Sequence, residues 1–314
     1  MSVVARPTAS KSRAAAISIA SNVALILLKL VAGAITGSIA IITEAVHSSI
    51  DLLASMVAFF SVRKADEPPD PSHPYGHEKV ENLTAALEGV LILVGAAIII
   101  FESVRRLVHV SPVEKLGVGI AVVGFSAAAN LGVSTYLYRQ ARITESPALE
   151  GDAAHLRTDA FTSLGVLVGL LLVQITGYER LDAITALIVA CVIVYSGVRI
   201  VSRSSRVLVD EALPSEELEL VRQTIEDYGA PEVAGFHKLR ARRAGSRRHV
   251  DLHVQFRQGT TLERAHEVSH ELQAAIQNRL RDADVLIHIE PETHPGIEPE
   301  SRVTSHESPQ VDGR

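Results

Sequence analysis

Apolar residues along this chain are gathered into six long blocks. The blocks lie at about 14–36, 38–62, 82–108, 116–138, 148–176 and 181–203. A helix needs about 20 mostly apolar residues to cross the hydrocarbon core of a bilayer, and each block is long enough. The pattern therefore predicts six membrane-spanning helices over residues 13–208, after a short cytoplasmic N-terminal tail of residues 1–12.

The pattern changes beyond the sixth block. Leu218, Val221 and Ile225 fall on one face of a helix, whereas residues 250–256 alternate apolar and polar side chains, which is the period of a strand. A further strand, a second helix and a last short strand complete the order α-β-β-α-β, which is typical of a small α+β domain. We predict this domain over residues 209–291.

Composition agrees with a membrane protein that ends in a water-facing tail. Hydrophobic residues make up 47% of the chain and the mean hydropathy is +0.23, which together are too apolar for an ordinary soluble enzyme of 314 residues. From Asp210 onward the chain has 20 acidic and 13 basic residues, and nothing in this distribution suggests nucleic-acid binding. Residues 292–314 are rich in Pro, Gly, Ser and charge, so we predict disorder there. The predicted fold class is membrane α-helical, with six transmembrane helices followed by a small cytoplasmic α+β domain.

The orientation of the six predicted spans follows from the basic residues beside them, because cytoplasmic loops are enriched in Lys and Arg. One side collects Lys11, Arg13, Arg63, Lys64, Lys79, Arg139, Arg142, Arg199, Arg203 and Arg206. The other side has Arg105, Arg106, Lys115 and Arg180. We therefore expect a multi-pass protein of the cytoplasmic (inner) membrane with both termini in the cytoplasm. Lys29 interrupts the first block, and we expect its ammonium to extend to the membrane interface.

Two of the apolar blocks carry the same polar motif. His47 and Asp51 are four residues apart in the second block, and His155 and Asp159 repeat the spacing in the fifth. Residues four apart share one helix face. Each pair could be a local hydrogen bond, but the duplication favours a metal site, because two such helices together offer the four nitrogen and oxygen ligands of tetrahedral Zn²⁺.

Two further clusters are rich in possible metal ligands. The loop after the second block contains Asp70, His73 and His77, which could equally be a solvated polar loop. In the tail, His288 and Glu290 lie two apart on one face of the last predicted strand. The other tail histidines of interest are His237, His253 and His266, each of which alone would be read as a surface histidine.

The predicted helices, the two His-x-x-x-Asp motifs and the α-β-β-α-β tail resemble the cation diffusion facilitators, which are dimeric antiporters of divalent metals and protons. The resemblance covers residues 10–291, and the segments GSIAIITEAVHSSIDLLAS and HPYGHEKVENLTA are especially similar. Some relatives have aspartate as the first transport ligand. Here His47 takes that position, a pattern that the resemblance associates with zinc preference over cadmium.

The resemblance also implies further metal sites and a partner. It implies a second site at Asp70, His73 and His77, and a binuclear site at the dimer interface of the tail, formed by His237, His253, His266, His288 and Glu290. The partner would be a second copy of the chain, within the lipid bilayer. Lys79 and Asp210 resemble the charged pair that joins the membrane part and the tail in that family.

The expected function is therefore export of a divalent metal, Zn²⁺ above others, in exchange for protons by alternating access, with Zn²⁺ also as a structural or regulatory ion. Fe²⁺, Co²⁺, Ni²⁺, Mn²⁺ and Cd²⁺ stay open. One alternative is a membrane metalloenzyme, but four ligands in the membrane motifs leave no open position for a substrate. Another is a metal sensor with a membrane anchor, although an anchor needs no ligands inside the membrane.

Overall fold

Six long helices precede a small mixed domain in the computed structural model, which describes residues 8–36, 39–108, 117–178 and 180–292. The long helices are α1 (Thr8–Thr36), α2 (Ile39–Ala65), α3 (Lys79–Val108), α4 (Gly117–Thr144), α5 (Pro147–Thr176) and α6 (Arg180–Leu208). They follow the six apolar blocks, although α1 begins at Thr8 and so includes part of the expected N-terminal tail. The predicted disorder of the C-terminal tail falls on residues 293–314, which lie outside the described residues.

Length and hydropathy qualify four of these helices as candidate membrane spans among the described residues. They are the segments Ser10–Ile35, Lys79–Val108, Pro147–Val173 and Ala183–Leu208. These segments belong to α1, α3, α5 and α6, and each is long and apolar enough to cross a membrane. The expectation that α2 and α4 also cross the membrane stays a prediction.

Local sequence fixes where α5 begins and ends. Ser146 is the N-cap, and its Oγ accepts a hydrogen bond from the backbone N–H of Leu149. Pro147 follows at the first helical position, where its missing N–H costs nothing. At the other end Gly177 adopts a left-handed conformation with φ 76°, and its N–H donates to the carbonyl of Val173. These caps define the register of the helix that carries His155.

Glycines allow α3 to pack closely against its neighbours. A Cβ at Gly151 on α5 would lie 3.2 Å from Cα of Ala85 on α3, and a Cβ at Gly89 on α3 would lie 2.7 Å from Cγ2 of Val201 on α6. Both distances are shorter than ordinary van der Waals contacts. The absence of side chains at these two positions therefore lets α3 approach both α5 and α6 closely.

Lys29 differs from the expectation drawn from the sequence. Its side chain does not extend to an interface: Lys29 is only 3% exposed, and its Nζ donates a 2.7 Å hydrogen bond to Oγ of Ser48 on α2. A buried ammonium is tolerated only where protein groups replace its hydration. Lys29 thus links α1 to α2.

The second unit of the chain starts at Glu211. It consists of α7 (Ser215–Tyr228), β1 (Val233–Ala244), β2 (Arg247–Phe256), α8 (Leu262–Arg279) and β3 (Ala283–Pro291), the predicted α-β-β-α-β order. The sheet order is β1-β2-β3, and β2 pairs in parallel with β3. One face of this sheet packs against α7 and α8 through a core that includes Val221, Leu252, Val254, Leu272 and Ile276.

Candidate metal centres

The helices α2 and α5 bring a carboxylate and an imidazole into contact inside the first unit. Nε2 of His155 lies 3.2 Å from Oδ1 of Asp51, and both residues are buried. In a tetrahedral site with bonds of about 2.0–2.2 Å to zinc, neighbouring ligand atoms are about 3.3–3.6 Å apart. The two atoms are therefore within hydrogen-bond distance of each other and close to the separation of two ligands of one Zn²⁺.

Asp159 completes a group of three possible ligands, and the fourth is outside the described side chains. Oδ2 of Asp159 is 3.9 Å from Nε2 of His155, and one ligand atom from each of Asp51, His155 and Asp159 falls within 4.8 Å of the others. The backbone of His47 lies in α2, one turn before Asp51, but its side chain is not described. The predicted ligand His47 therefore stays a prediction.

Hydrogen bonds between helices hold the surroundings of this group. Oγ of Ser55 on α2 donates to Oδ1 of Asp152 on α5 at 2.8 Å, and Nδ2 of Asn22 on α1 donates to the same hydroxyl. Ser55 and Asp152 lie one turn after Asp51 and one turn before His155, respectively. The network therefore fixes the relative position of α2 and α5 beside the candidate ligands.

Sequence reasoning did not assign a role to Glu88 on α3, whose side chain faces the same group. Its Oε2 is 3.9 Å from Nδ1 of His155, and the residue is 1% exposed. A signal was present, because a carboxylate inside an apolar block is as costly as those that were noticed in the second and fifth blocks. The site thus has a third helix that the two motifs do not reveal.

The loop between α2 and α3 brings Asp70, His73 and His77 together, and their role as a metal site stays a prediction. Nδ1 of His73 and Nε2 of His77 each lie 3.2 Å from an oxygen of Asp70, one on Oδ1 and one on Oδ2. The backbone N–H of His73 donates to the carboxylate and lowers the pKa of Asp70, which favours the charged form. His77 is buried, and neither ring nitrogen has hydrogen-bond geometry to a described partner.

In the tail, the structure brings together His237, His253 and Glu290. Oε1 of Glu290 is 2.6 Å from Nδ1 of His253, Oε2 is 3.2 Å from Nε2 of His237, and Nε2 of His288 is 3.6 Å from Oε1. The hydrogen bond from His253 lowers the pKa of Glu290. The strands place these groups side by side, because His253 on β2 pairs in register with His288 on β3.

His266 is not part of that tail cluster within one copy of the chain. Its ring lies against His270, with the centroids 4.4 Å apart, on the exposed side of α8. The pair Lys79 and Asp210 is in contact as expected: Nζ of Lys79, at the start of α3, donates to Oδ1 of Asp210 at 2.7 Å. Both side chains are substantially exposed to solvent.

Comparison with known proteins assigns both parts of the chain to one family. Residues 15–209 match the cation efflux transmembrane domain, and residues 213–292 match the cytoplasmic domain of cation efflux proteins. The chain is 35% identical to the uncharacterized transporter sll1263 of Synechocystis sp. over 88% of its own length and 89% of the relative. It is 32% identical to the cation-efflux pump FieF of Klebsiella pneumoniae over 89% of this chain and 92% of that one.

Solved structures also match part of the chain, and one of them is the following. It is described as a putative zinc transporter CzrB, is 33% identical, covers 26% of this chain and 99% of that chain, and has a TM-score of 0.25. The two domain matches and the full-length relatives together cover the helical unit and the tail. The chain is thus a multi-pass membrane protein that belongs to the cation efflux, or cation diffusion facilitator, family of transporters and is not an enzyme.

Proposed function

We propose that this protein exports Zn²⁺ from the cytoplasm in exchange for protons, as a homodimer with six spans per copy. The observation that carries the proposal is the contact between Asp51 and His155, at a distance that suits neighbouring ligands of one metal ion. Asp159 and His47 would complete a site of two imidazoles and two carboxylates between α2 and α5. All four ligands come from the two repeated motifs.

The donor set is the reason for proposing zinc. Imidazole suits Zn²⁺, whereas sites made of carboxylates and carbonyls alone suit harder ions such as Mg²⁺ and Mn²⁺. Four ligands in a tetrahedron match the coordination number of Zn²⁺ in closed sites. The relative FieF is named only as a cation-efflux pump, so the choice of zinc depends on the ligands of this chain.

Exchange for protons follows from the same ligands. Imidazole and carboxylate must lose their protons to bind a metal, so protons compete for the groups that hold the ion. If the helices rock so that the site faces each side of the membrane in turn, metal leaves in one direction and protons return in the other. No separate proton path is needed.

The other clusters would regulate or support transport. Under this proposal the organisation is a cytoplasmic N-terminal tail (1–12), a transport domain (13–208), a cytoplasmic metal-binding and dimerisation domain (209–291) and a disordered end (292–314). The protein would lie in the inner membrane with both termini on the cytoplasmic side, as the basic residues of the loops indicate. Metal in the loop site and in the tail cluster would adjust the assembly of two copies.

Transport into sealed vesicles tests the proposal directly. The purified full-length chain is reconstituted with a zinc-sensitive dye and a pH-sensitive dye trapped inside. An imposed proton gradient should drive Zn²⁺ across the membrane, and the added Zn²⁺ should move protons in the opposite direction. Both signals should vanish in Asp51→Ala. Zinc movement without any proton movement would refute the exchange mechanism, and normal flux in Asp51→Ala would refute the site.

A further inference from the structure

Glu88 is a buried carboxylate that the two His-x-x-x-Asp motifs do not include. It lies on α3, within a candidate membrane span, and is 1% exposed. An ionisable side chain in a membrane span is costly and is a functional candidate by default. Among the described residues, none donates a hydrogen bond to either of its carboxylate oxygens. The ion-pair contact that Glu88 does make is with His155.

The two ring nitrogens of His155 face different partners. Nε2 lies 3.2 Å from Oδ1 of Asp51, and Nδ1 lies 3.9 Å from Oε2 of Glu88. Nδ1 is buried and makes no hydrogen bond to a described residue. An N–H···O hydrogen bond is about 2.9 Å long, so a closure of about 1 Å would pair these two atoms.

The approach of Glu88 to His155 depends on a glycine. Gly151 lies four residues before His155 on α5 and therefore on the same face of the helix. A Cβ at Gly151 would lie 3.2 Å from both Cβ and Cγ of Glu88. Because Gly151 has no side chain, α3 can approach α5 beside the candidate metal site. The position of Glu88 therefore depends on helix packing as well as on its contact with His155.

We infer that Glu88 is a positioning residue for the metal site. Its carboxylate accepts the Nδ1–H of His155 and fixes the tautomer in which the Nε2 lone pair is free to bind the ion. A neutral imidazole carries one N–H, so only that tautomer presents Nε2 as a ligand. Carboxylates that hold a metal-binding histidine in this way orient the ring and raise its basicity, and their loss weakens metal binding about 10–100-fold.

This inference rests on the proposed function, because it takes His155 as a metal ligand. Calorimetric titration of Zn²⁺ into the full-length chain in nanodiscs tests both separately. The binding heat that is present in the wild type and absent in Asp51→Ala is assigned to the membrane site. Glu88→Ala should weaken that part about 10–100-fold, whereas Glu88→Gln, which keeps an oxygen acceptor, should weaken it less. The KM for Zn²⁺ flux should rise by the same factors, with the maximal rate per folded protein little changed.

Glu81→Gln is the matched control. Glu81 lies on the same helix with the same 1% exposure, but it pairs with Lys11 and Ser146 and makes no described contact with His155. Its replacement should leave the zinc affinity of the folded protein unchanged.

Two results would overturn the inference. One is a membrane site that binds Zn²⁺ with wild-type affinity in both Glu88→Gln and Glu88→Ala. The other is a Glu88→Gln variant that binds Zn²⁺ as weakly as the Glu88→Ala variant. If Glu88→Ala does not fold, wild-type affinity in the Gln variant alone decides against it. If Asp51→Ala removes no binding, the proposed function itself is wrong.

Discussion

His155 on α5 reaches across to Asp51 on α2, with Nε2 and Oδ1 separated by 3.2 Å. The two residues are 104 positions apart in the sequence, so the contact is a product of helix packing. The separation is close to the edge of a zinc tetrahedron, about 3.3–3.6 Å, so the two groups are near enough to ligate one ion.

Replacement of Asp51 by asparagine should abolish Zn²⁺ flux while the protein keeps its fold. Asparagine has the same shape and can still bond to His155, but it lacks the negative charge that holds a divalent cation. We expect the initial rate of zinc uptake into vesicles to fall to the rate of protein-free vesicles. Gel filtration and thermal unfolding in detergent would check that the variant is intact.

Glu102→Gln is the control for this substitution. It makes the same change from carboxylate to amide at an exposed position near the end of α3, where Glu102 pairs with Arg105 and Arg106. Exposed ion pairs of this kind contribute at most about 1 kcal/mol, so its flux should match the wild type. A folded Asp51→Asn protein with near-normal flux would remove Asp51 from the transport site.

The choice between zinc and cadmium should depend on His47. Replacement by aspartate exchanges an imidazole for a carboxylate and makes the site like those relatives in which aspartate is the first ligand. We expect the ratio of Cd²⁺ to Zn²⁺ uptake to rise in His47→Asp, measured in the same vesicles with each metal alone. An unchanged ratio would mean that residues other than His47 determine the selectivity.

The periodicity of the sequence predicts most of the fold, because apolar residues recur at the spacing of the buried face of each helix or strand. The six apolar blocks correspond to α1–α6, and the alternation at residues 250–256 corresponds to β2. The spacing of His155 and Asp159 on one helix face is likewise visible in the sequence alone. Boundaries are less well predicted: α1 begins at Thr8 because polar residues at a helix end do not interrupt the helix.

Contacts between helices could not be predicted in the same way. Nothing in the spacing of Glu88 shows that its helix passes α5 at the height of His155, since this depends on the small residue Gly151 on the other helix. Lys29 is a similar case, because its hydrogen bond to Ser48 depends on how α1 packs against α2. The sequence shows which ionisable side chains lie in apolar segments, whereas helix packing determines which partner each of them contacts.

Gly151→Ala should impair transport although it adds only one methyl group. The new Cβ would lie 3.2 Å from Cα of Ala85, which is backbone and cannot rotate away, so α3 must move by a few tenths of an ångström. Small displacements of groups that act together can lower rates severely, and we expect a fall on the order of tenfold in zinc flux. Gly95→Ala is the control, because a Cβ there meets nothing within 4 Å. Equal flux in the two variants would show that the close approach of α3 to α5 is not needed.

The stability of the tail should depend on pH through Glu217. Burial alone would raise the pKa of this group, but the hydrogen bond from Arg248 and the charge of Arg243 outweigh it and lower the pKa. A lowered carboxylate pKa stabilises the fold above the unfolded value of 4.5, and the stabilisation is lost as the pH falls through the folded value. Glu217→Gln should therefore lower the free energy of unfolding by about 1–2 kcal/mol at pH 7.

Urea unfolding of residues 211–292 at several pH values would measure this difference. The wild type and Glu217→Gln should differ by a constant amount between pH 6 and pH 8. The difference should begin to shrink below about pH 4.5 and should vanish once the pH has fallen through the lowered pKa of the folded state. A matched change at the exposed Glu219, which is also on α7, should have little effect at any pH. A difference that persists unchanged into acid would contradict the charge-based explanation.

Zinc should stabilise the tail through the cluster around Glu290. Residues 211–292 include 15 acidic and 11 basic residues, so two copies repel each other, and a bound divalent ion would offset that repulsion. A ligand at 100 times its dissociation constant stabilises the form that binds it by roughly 2.7 kcal/mol.

We expect the thermal midpoint of residues 211–292 to rise with Zn²⁺, and the rise to disappear when His253 and His288 are both replaced by alanine. His270→Ala should keep the whole shift. The same measurement on His266→Ala tests the predicted ligand that lies apart from the cluster, because an undiminished shift would exclude it. A wild-type tail without any zinc-dependent shift, or a double variant that keeps all of it, would show that this cluster is not a metal site.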